Sequence, residues 1–125
     1  MRGHDVRFWR EEPECEGMIG NARSNLPERI LHHSTSGVEW GYSGSGPADA
    51  ALRTLALFLP VGCDGAKPVR LWKGRCSLVA WLLHQDFKRE FICTLPREGG
   101  VLRADVIRQW IDQNWPGKEE LSAGE

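Results

Sequence analysis

Residues 40–59 read WGYSGSGPADAALRTLALFL, and this stretch organises everything around it. Ala48, Ala51, Leu52, Leu55, Phe58 and Leu59 recur at i, i+3, i+4 spacing, which predicts a helix with one continuous apolar face. Pro47 suits the first helical position, where its missing N–H has no intrahelical partner. Asp49, two residues on, is placed to accept first-turn N–H bonds and to complement the helix dipole. Pro60 and Gly62 stop the helix. On the other side Val38–Tyr42 reads as extended, and Gly41, Gly44 and Gly46 allow a tight, left-handed-capable turn from that segment into the helix.

Glycines before a helix invite comparison with a phosphate loop, but the chemistry is missing. No G-x-x-x-x-G-K-[ST] supplies a phosphate lysine or a magnesium hydroxyl. Pro47 removes one donor, Asp49 adds a negative charge, and glycines at 41, 44 and 46 do not match G-x-G-x-x-G. Tyr42-Ser43-Gly44 also approaches a nucleophile elbow, with its second glycine one residue early. A Ser43–His84–Asp86 triad would put two partners two residues apart on one helix, on different faces. A hinge is the better explanation, with Tyr42, Ser43 and Ser45 as loop side chains available for binding.

Outward from this segment, Val6 and Phe8 alternate with Arg7 and Trp9, which predicts a first strand over residues 5–12. A second short strand is expected near Gly17–Asn21. The polar stretch to residue 37 is expected to be a loop anchored by Leu26, Ile30 and Leu31, with His32 and His33 in solvent. A second helix is expected from Leu78 to Leu95, with Ala80, Leu83, Phe87 and Phe91 on one stripe, and a third over Ala104–Asn114. Residues 116–125 read as a flexible tail to a single domain spanning 1–115. The expected class is α+β: a small N-terminal antiparallel sheet of two or three strands, with three helices packed on one face.

A length of 125 residues fits one domain with one core, and a net charge of −1 argues against binding nucleic acid by bulk attraction. No secretory leader or long apolar run is evident, so a cytoplasmic protein without a membrane partner is expected. The four cysteines, at 15, 63, 76 and 93, have no C-x-x-C spacing. Cys63, Cys76, His84 and Cys93 could be drawn as a zinc site, but scattered cytosolic thiols are usually small buried hydrophobes, so neither metal nor cofactor is expected. Among the six tryptophans, Trp40, Trp81 and Trp110 read as structural. Trp72 differs: it lies among Lys67, Arg70, Lys73 and Arg75, with no acid from 65 to 85. That combination offers phosphate-directed charge with a stacking platform, although such loops are often simply solvated.

The combination W-G-Y-x-G-S-G-P-A at 40–48, F-K-x-E at 87–90 and I-x-x-W at 107–110 resembles a family of small uncharacterised domains of bacteria and their phages or mobile elements. The resemblance covers about residues 38–111, through Trp40, Gly41, Tyr42, Gly44, Ser45, Gly46, Pro47, Phe87, Lys88 and Glu90. Relatives usually carry glycine where this chain has Ser43, and a shorter link between the first two helices. The resemblance therefore marks 60–76 as an insertion, and it implies a fold rather than an activity. Beside Phe87 and Phe91, Glu90 is expected to accept hydrogen bonds from residues 43–46; a general-base role for it is the weaker alternative. Two functional classes follow. The first is a non-catalytic module binding a protein, as an accessory factor acting on a host complex. The second is a single-strand nucleic-acid binder using the 67–75 stretch. A small hydrolase built on Ser43 or Glu90 is a distant third.

Overall fold

The computed structural model describes residues 3–12, 16–17, 20–27 and 38–115. Among the described residues, five strands and three α-helices occur in the order β1 (Val6–Arg10), β2 (Ala22–Ser24), α1 (Ser45–Phe58), β3 (Val69–Arg70), β4 (Arg75–Cys76), α2 (Leu78–Phe87), β5 (Gly100–Leu102) and α3 (Ala104–Asn114). A π-helical turn, Lys88–Ile92, continues α2. The fold is α+β, with an antiparallel sheet in the order β2-β1-β5. Val6, Phe8 and Leu102 point inward and join the helices in one hydrophobic cluster, while Arg7, Trp9 and Val101 face solvent.

Helix α1 is the centre of that cluster. From Gly46 to Leu55 every residue is buried, so α1 is enclosed on all sides rather than along a single stripe. Fully burying side chains such as Leu52, Leu55 and Phe58 contributes about 1.5–3 kcal/mol each before entropy is counted. The helix starts two residues before Pro47: Ala48 N–H donates to the Gly44 carbonyl at 3.0 Å. Pro47 is thus the third helical residue, still among those whose N–H has no intrahelical acceptor. Asp49 consequently lies beyond the first turn, and no acidic residue occupies that turn. It is a buried carboxylate, 1% exposed, not the dipole-complementing cap expected from its spacing.

Other boundaries moved for identifiable reasons. A second strand forms at Ala22–Ser24, in register with β1 through Phe8–Ser24 and Arg10–Ala22; of the expected Gly17–Asn21, residues 18–19 lie outside the described residues and Gly17, Gly20 and Asn21 are not in a strand. The third strand of the sheet is not N-terminal. Gly100–Leu102 returns from the far end of the chain to pair Val6 with Leu102. Val38–Tyr42 forms no strand, although Val38 and Trp40 are buried on either side of Glu39. The helix expected to reach Leu95 stops at Ile92, where Cys93 N–H donates to the Lys88 carbonyl in a wider turn. Helix α3 spans the expected residues, and Asp5 Oδ1 accepts from its Ala104 N–H at 2.7 Å, tying the first strand to it. Leu26 is buried as expected. Ile30, Leu31, His32, His33 and the tail from 116 lie outside the described residues.

Candidate functional site

The 60–76 segment is built into the fold at both ends. Asp64 Oδ2 accepts from Val79 N–H at 2.9 Å, and Asp64 Oδ1 accepts from Ala66 N–H at 3.1 Å, so one carboxylate caps α2 and its own turn. Ser77 is the N-cap residue of α2: its Oγ accepts from Ala80 N–H at 3.2 Å and donates to the Leu59 carbonyl at 2.8 Å. Between these anchors β3 and β4 make a hairpin that the sequence shows only as a loop, closed by Leu71 N–H donating to the Gly74 carbonyl at 3.0 Å. Leu71 and Cys76 turn inward, while Lys67, Arg70, Lys73 and Arg75 are exposed and Trp72 is 66% exposed. Arg70 and Arg75 stand directly opposite each other across the hairpin. Like charges in that position are mutually destabilising.

The glycine segment is decided by backbone geometry and a tyrosine. Gly41 has φ +83°, in the left-handed region that favours glycine, and its N–H donates to the Ile92 carbonyl at 3.0 Å. A side chain on Gly46 would meet Glu39 Cβ at 2.7 Å and the Tyr42 hydroxyl at 3.2 Å. Tyr42, Ser43 and Ser45 are exposed. The glycine motif and the F-K-x-E motif do meet, but not through Glu90 and the 43–46 loop. The link is the main chain of Gly41 on the π turn. Glu90 instead accepts the indole N–H of Trp110, at 2.5 Å. Phe87 packs edge-on against the same indole, with centroids 5.2 Å apart, and Lys88 opens the π turn.

The Ser43–His84–Asp86 triad is not assembled. His84 is buried, its Nδ1 lies 2.5 Å from the Trp81 carbonyl, and its Nε2 lies 3.2 Å from Gln85 Nε2. Both ring nitrogens are therefore engaged within its own helix. Asp86 is exposed and pairs with Arg89, so it does not orient His84. No group of three His, Cys, Asp or Glu residues able to hold a metal occurs among the described residues. Burial pushes the Cys76 thiol up to about 11, helped by the negative charge of Asp64, and burial also raises Cys63. Among the described residues no helix is long and apolar enough to cross a membrane.

One site has no counterpart in the sequence reading. A cleft of about 890 Å³ opens beside Arg10, Glu39, Trp40, Tyr42, Arg53 and Arg97. Arg10 is fully committed there: its guanidinium grips both Glu39 oxygens at 2.9 and 3.2 Å, its Nε donates to the Arg97 carbonyl at 2.6 Å, and it covers the Trp40 ring at 4.4 Å. Trp40 Nε1 donates to that same carbonyl at 3.0 Å. Arg53 is different. It is 8% exposed within the buried Gly46–Leu55 stretch of α1, its Nε is buried with no hydrogen-bond partner, and it also borders a second cleft of about 540 Å³. The available signal was its place in α1, a cation four residues after Asp49 on an otherwise apolar helix.

The described residues define an α+β fold around one hydrophobic cluster, whose conspicuous surface features are a basic hairpin and an arginine-lined cleft. Residues 12–62 match a family of unknown function, DUF6166, so over that portion the chain is similar to an uncharacterised domain family. The match takes in β2, the glycine segment and α1 and ends before the basic hairpin. No curated protein matches the chain, and no solved structure matches it.

Proposed function

We propose that the protein is a non-catalytic binding module whose contact face is the β3–β4 hairpin, extended by the exposed Tyr42, Ser43 and Ser45 of the glycine segment. The observation that carries this is the Arg70–Arg75 pair, two arginines opposite each other in the register of a short hairpin with Trp72 exposed in its turn. Keeping like charges face to face costs stability, and an anionic partner would relieve that cost on binding. The partner in this proposal is an acidic protein surface with an apolar recess for Trp72, a kind of anchor enriched at interfaces. The glycine-motif resemblance supports a cytoplasmic accessory role in a bacterium, phage or mobile element, directed at a host complex.

Trp72 favours one second reading, single-stranded nucleic acid, in which bases stack on the indole while Lys67, Arg70, Lys73 and Arg75 follow the phosphates. Affinity capture from the native host with wild type and a Lys73→Ala/Arg75→Ala variant separates the two. A specific protein retained only by wild type supports the module. Oligonucleotide affinity that falls with salt and is lost in the double variant supports the nucleic-acid reading instead. Equal behaviour of both proteins in both assays removes the hairpin from function.

A further inference from the structure

We propose that the cleft beside Trp40 and Tyr42 binds a small oxyanion, a phosphate monoester or a carboxylate, with Arg53 as its principal ligand. Arginine is always charged, and a buried charge without a partner is costly, so buried guanidiniums are ordinarily paired. Arg53 is more than nine-tenths buried, its Nε has no partner, and no hydrogen bond or ion pair joins it to another described residue. Asp49, one turn earlier on α1, does not neutralise it by direct contact; that carboxylate has an interaction of its own. Glu39, the carboxylate that lines the same cleft, is held on both oxygens by Arg10. What is missing is an acceptor, and the space for one is present. Arg53 lines a cleft of about 890 Å³, within the range that holds a small molecule, and Arg97 lines it too.

The planar guanidinium fork matches two oxygens of a phosphate or carboxylate, which makes an oxyanion the complementary group. The floor is rigid where such a ligand needs it to be. Trp40 and Arg10 both donate to the Arg97 carbonyl, which holds the backbone of Arg97 against the strand. Exposed Tyr42 provides an aromatic rim for the non-anionic part of the ligand. This site involves none of the hairpin cations and stands whether or not the hairpin has a partner.

The test is thermal denaturation and calorimetric titration of the full chain with inorganic phosphate, a nucleoside monophosphate and citrate, each at constant ionic strength against chloride. Saturable stabilisation by the phosphate compounds alone identifies a phosphate site; stabilisation by citrate alone identifies a carboxylate site. Arg53→Met should melt no lower than wild type without ligand, because it removes an unpartnered buried charge, and should show no ligand response. Should Arg53→Met fail to fold, Arg53→Lys keeps the charge, loses the fork and should bind about tenfold more weakly. Lys73→Ala should respond like wild type. The proposal is overturned if chloride matches the oxyanions, if none of them binds saturably, or if the Arg53 variants bind as wild type does.

Discussion

Trp110 of α3 donates its indole N–H to Glu90 of the π turn at 2.5 Å, a bond that fastens the last helix to the end of the second. Trp110 is 5% exposed, and its ring meets Phe87 and Phe91 edge-on. Removing the carboxylate leaves a buried donor without an acceptor. Glu90→Ala should therefore cost about 1–3 kcal/mol, with Glu90→Gln recovering part of it by keeping an oxygen. Urea denaturation monitored by tryptophan emission measures this. A Glu90→Ala midpoint equal to that of wild type would show that the bond contributes nothing.

Gly41 and Gly44 should respond differently to alanine. At Gly41 the backbone lies at φ +83° with the Leu95 carbonyl 3.3 Å from the position of an added Cβ, so the strain cannot be moved elsewhere. Gly41→Ala should cost about 1–2 kcal/mol. Gly44 is extended, and its added Cβ would meet only the Tyr42 ring, at 2.7 Å. Tyr42 is exposed and can swing aside, so Gly44→Ala should be the milder change and milder still beside Tyr42→Ala. Equal losses at the two positions would contradict this.

Ser77 both caps α2 and donates to the end of α1, so one hydroxyl serves two helices. Ser77→Ala should destabilise by about 1–2 kcal/mol, and Asp64→Ala by about 1 kcal/mol. Because both act on the same helix start, the double variant should lose less or more than the sum, a coupling that a double-mutant cycle reads directly. Strict additivity would mean that the two caps act independently.

Cys76 ties stability to alkaline pH. Its thiol is held up to about 11 in the folded chain, above the ordinary 9.0, first by burial and then by Asp64. The folded state therefore binds the extra proton between these values. This stabilisation is complete below pH 9 and is lost as pH rises through about 11. Denaturant midpoints over that range should fall more steeply for wild type than for Cys76→Ala, and the native thiol should alkylate slowly at neutral pH. Identical slopes for the two proteins would remove Cys76 as the cause.

Arg75→Glu places an opposite charge across from Arg70 and should stabilise the hairpin by about 0.2–1 kcal/mol. The same change should abolish recognition of an anionic partner. Gain of thermal stability with loss of capture is the expected pair of results; a less stable protein that still binds would refute the role given to the arginine pair.

Helices α1 and α3 were legible from the chain because their signals are local. Apolar spacing, Pro47 near the start and Pro60 beyond the end act within a few turns, and α3 occupies the expected residues. So was β1, whose alternation over 5–12 contains the observed Val6–Arg10; the shorter strands were not. Gly100–Leu102 is three residues long and exists only because Val6, nearly a hundred positions away, pairs with Leu102. The β3–β4 hairpin has two residues per strand, too few for an alternation to be seen. The basic 67–75 stretch was identified by composition, but the face-to-face placement of Arg70 and Arg75 follows from hairpin register.

The sequence by itself determined that a glycine hinge would feed an apolar helix, that Trp72 would stand apart from the other tryptophans, and that the class would be α+β. Only the tertiary structure decided which atoms join the two motifs, and it chose the Gly41 main chain over the Glu90 side chain. It also decided that Arg53 would be buried. Arginine is an ordinary helix former whose burial depends on what packs around it, and the cleft that Arg53 lines is built from residues far from it in the chain. Local propensity can start and stop a helix; it cannot say which of its faces will be covered.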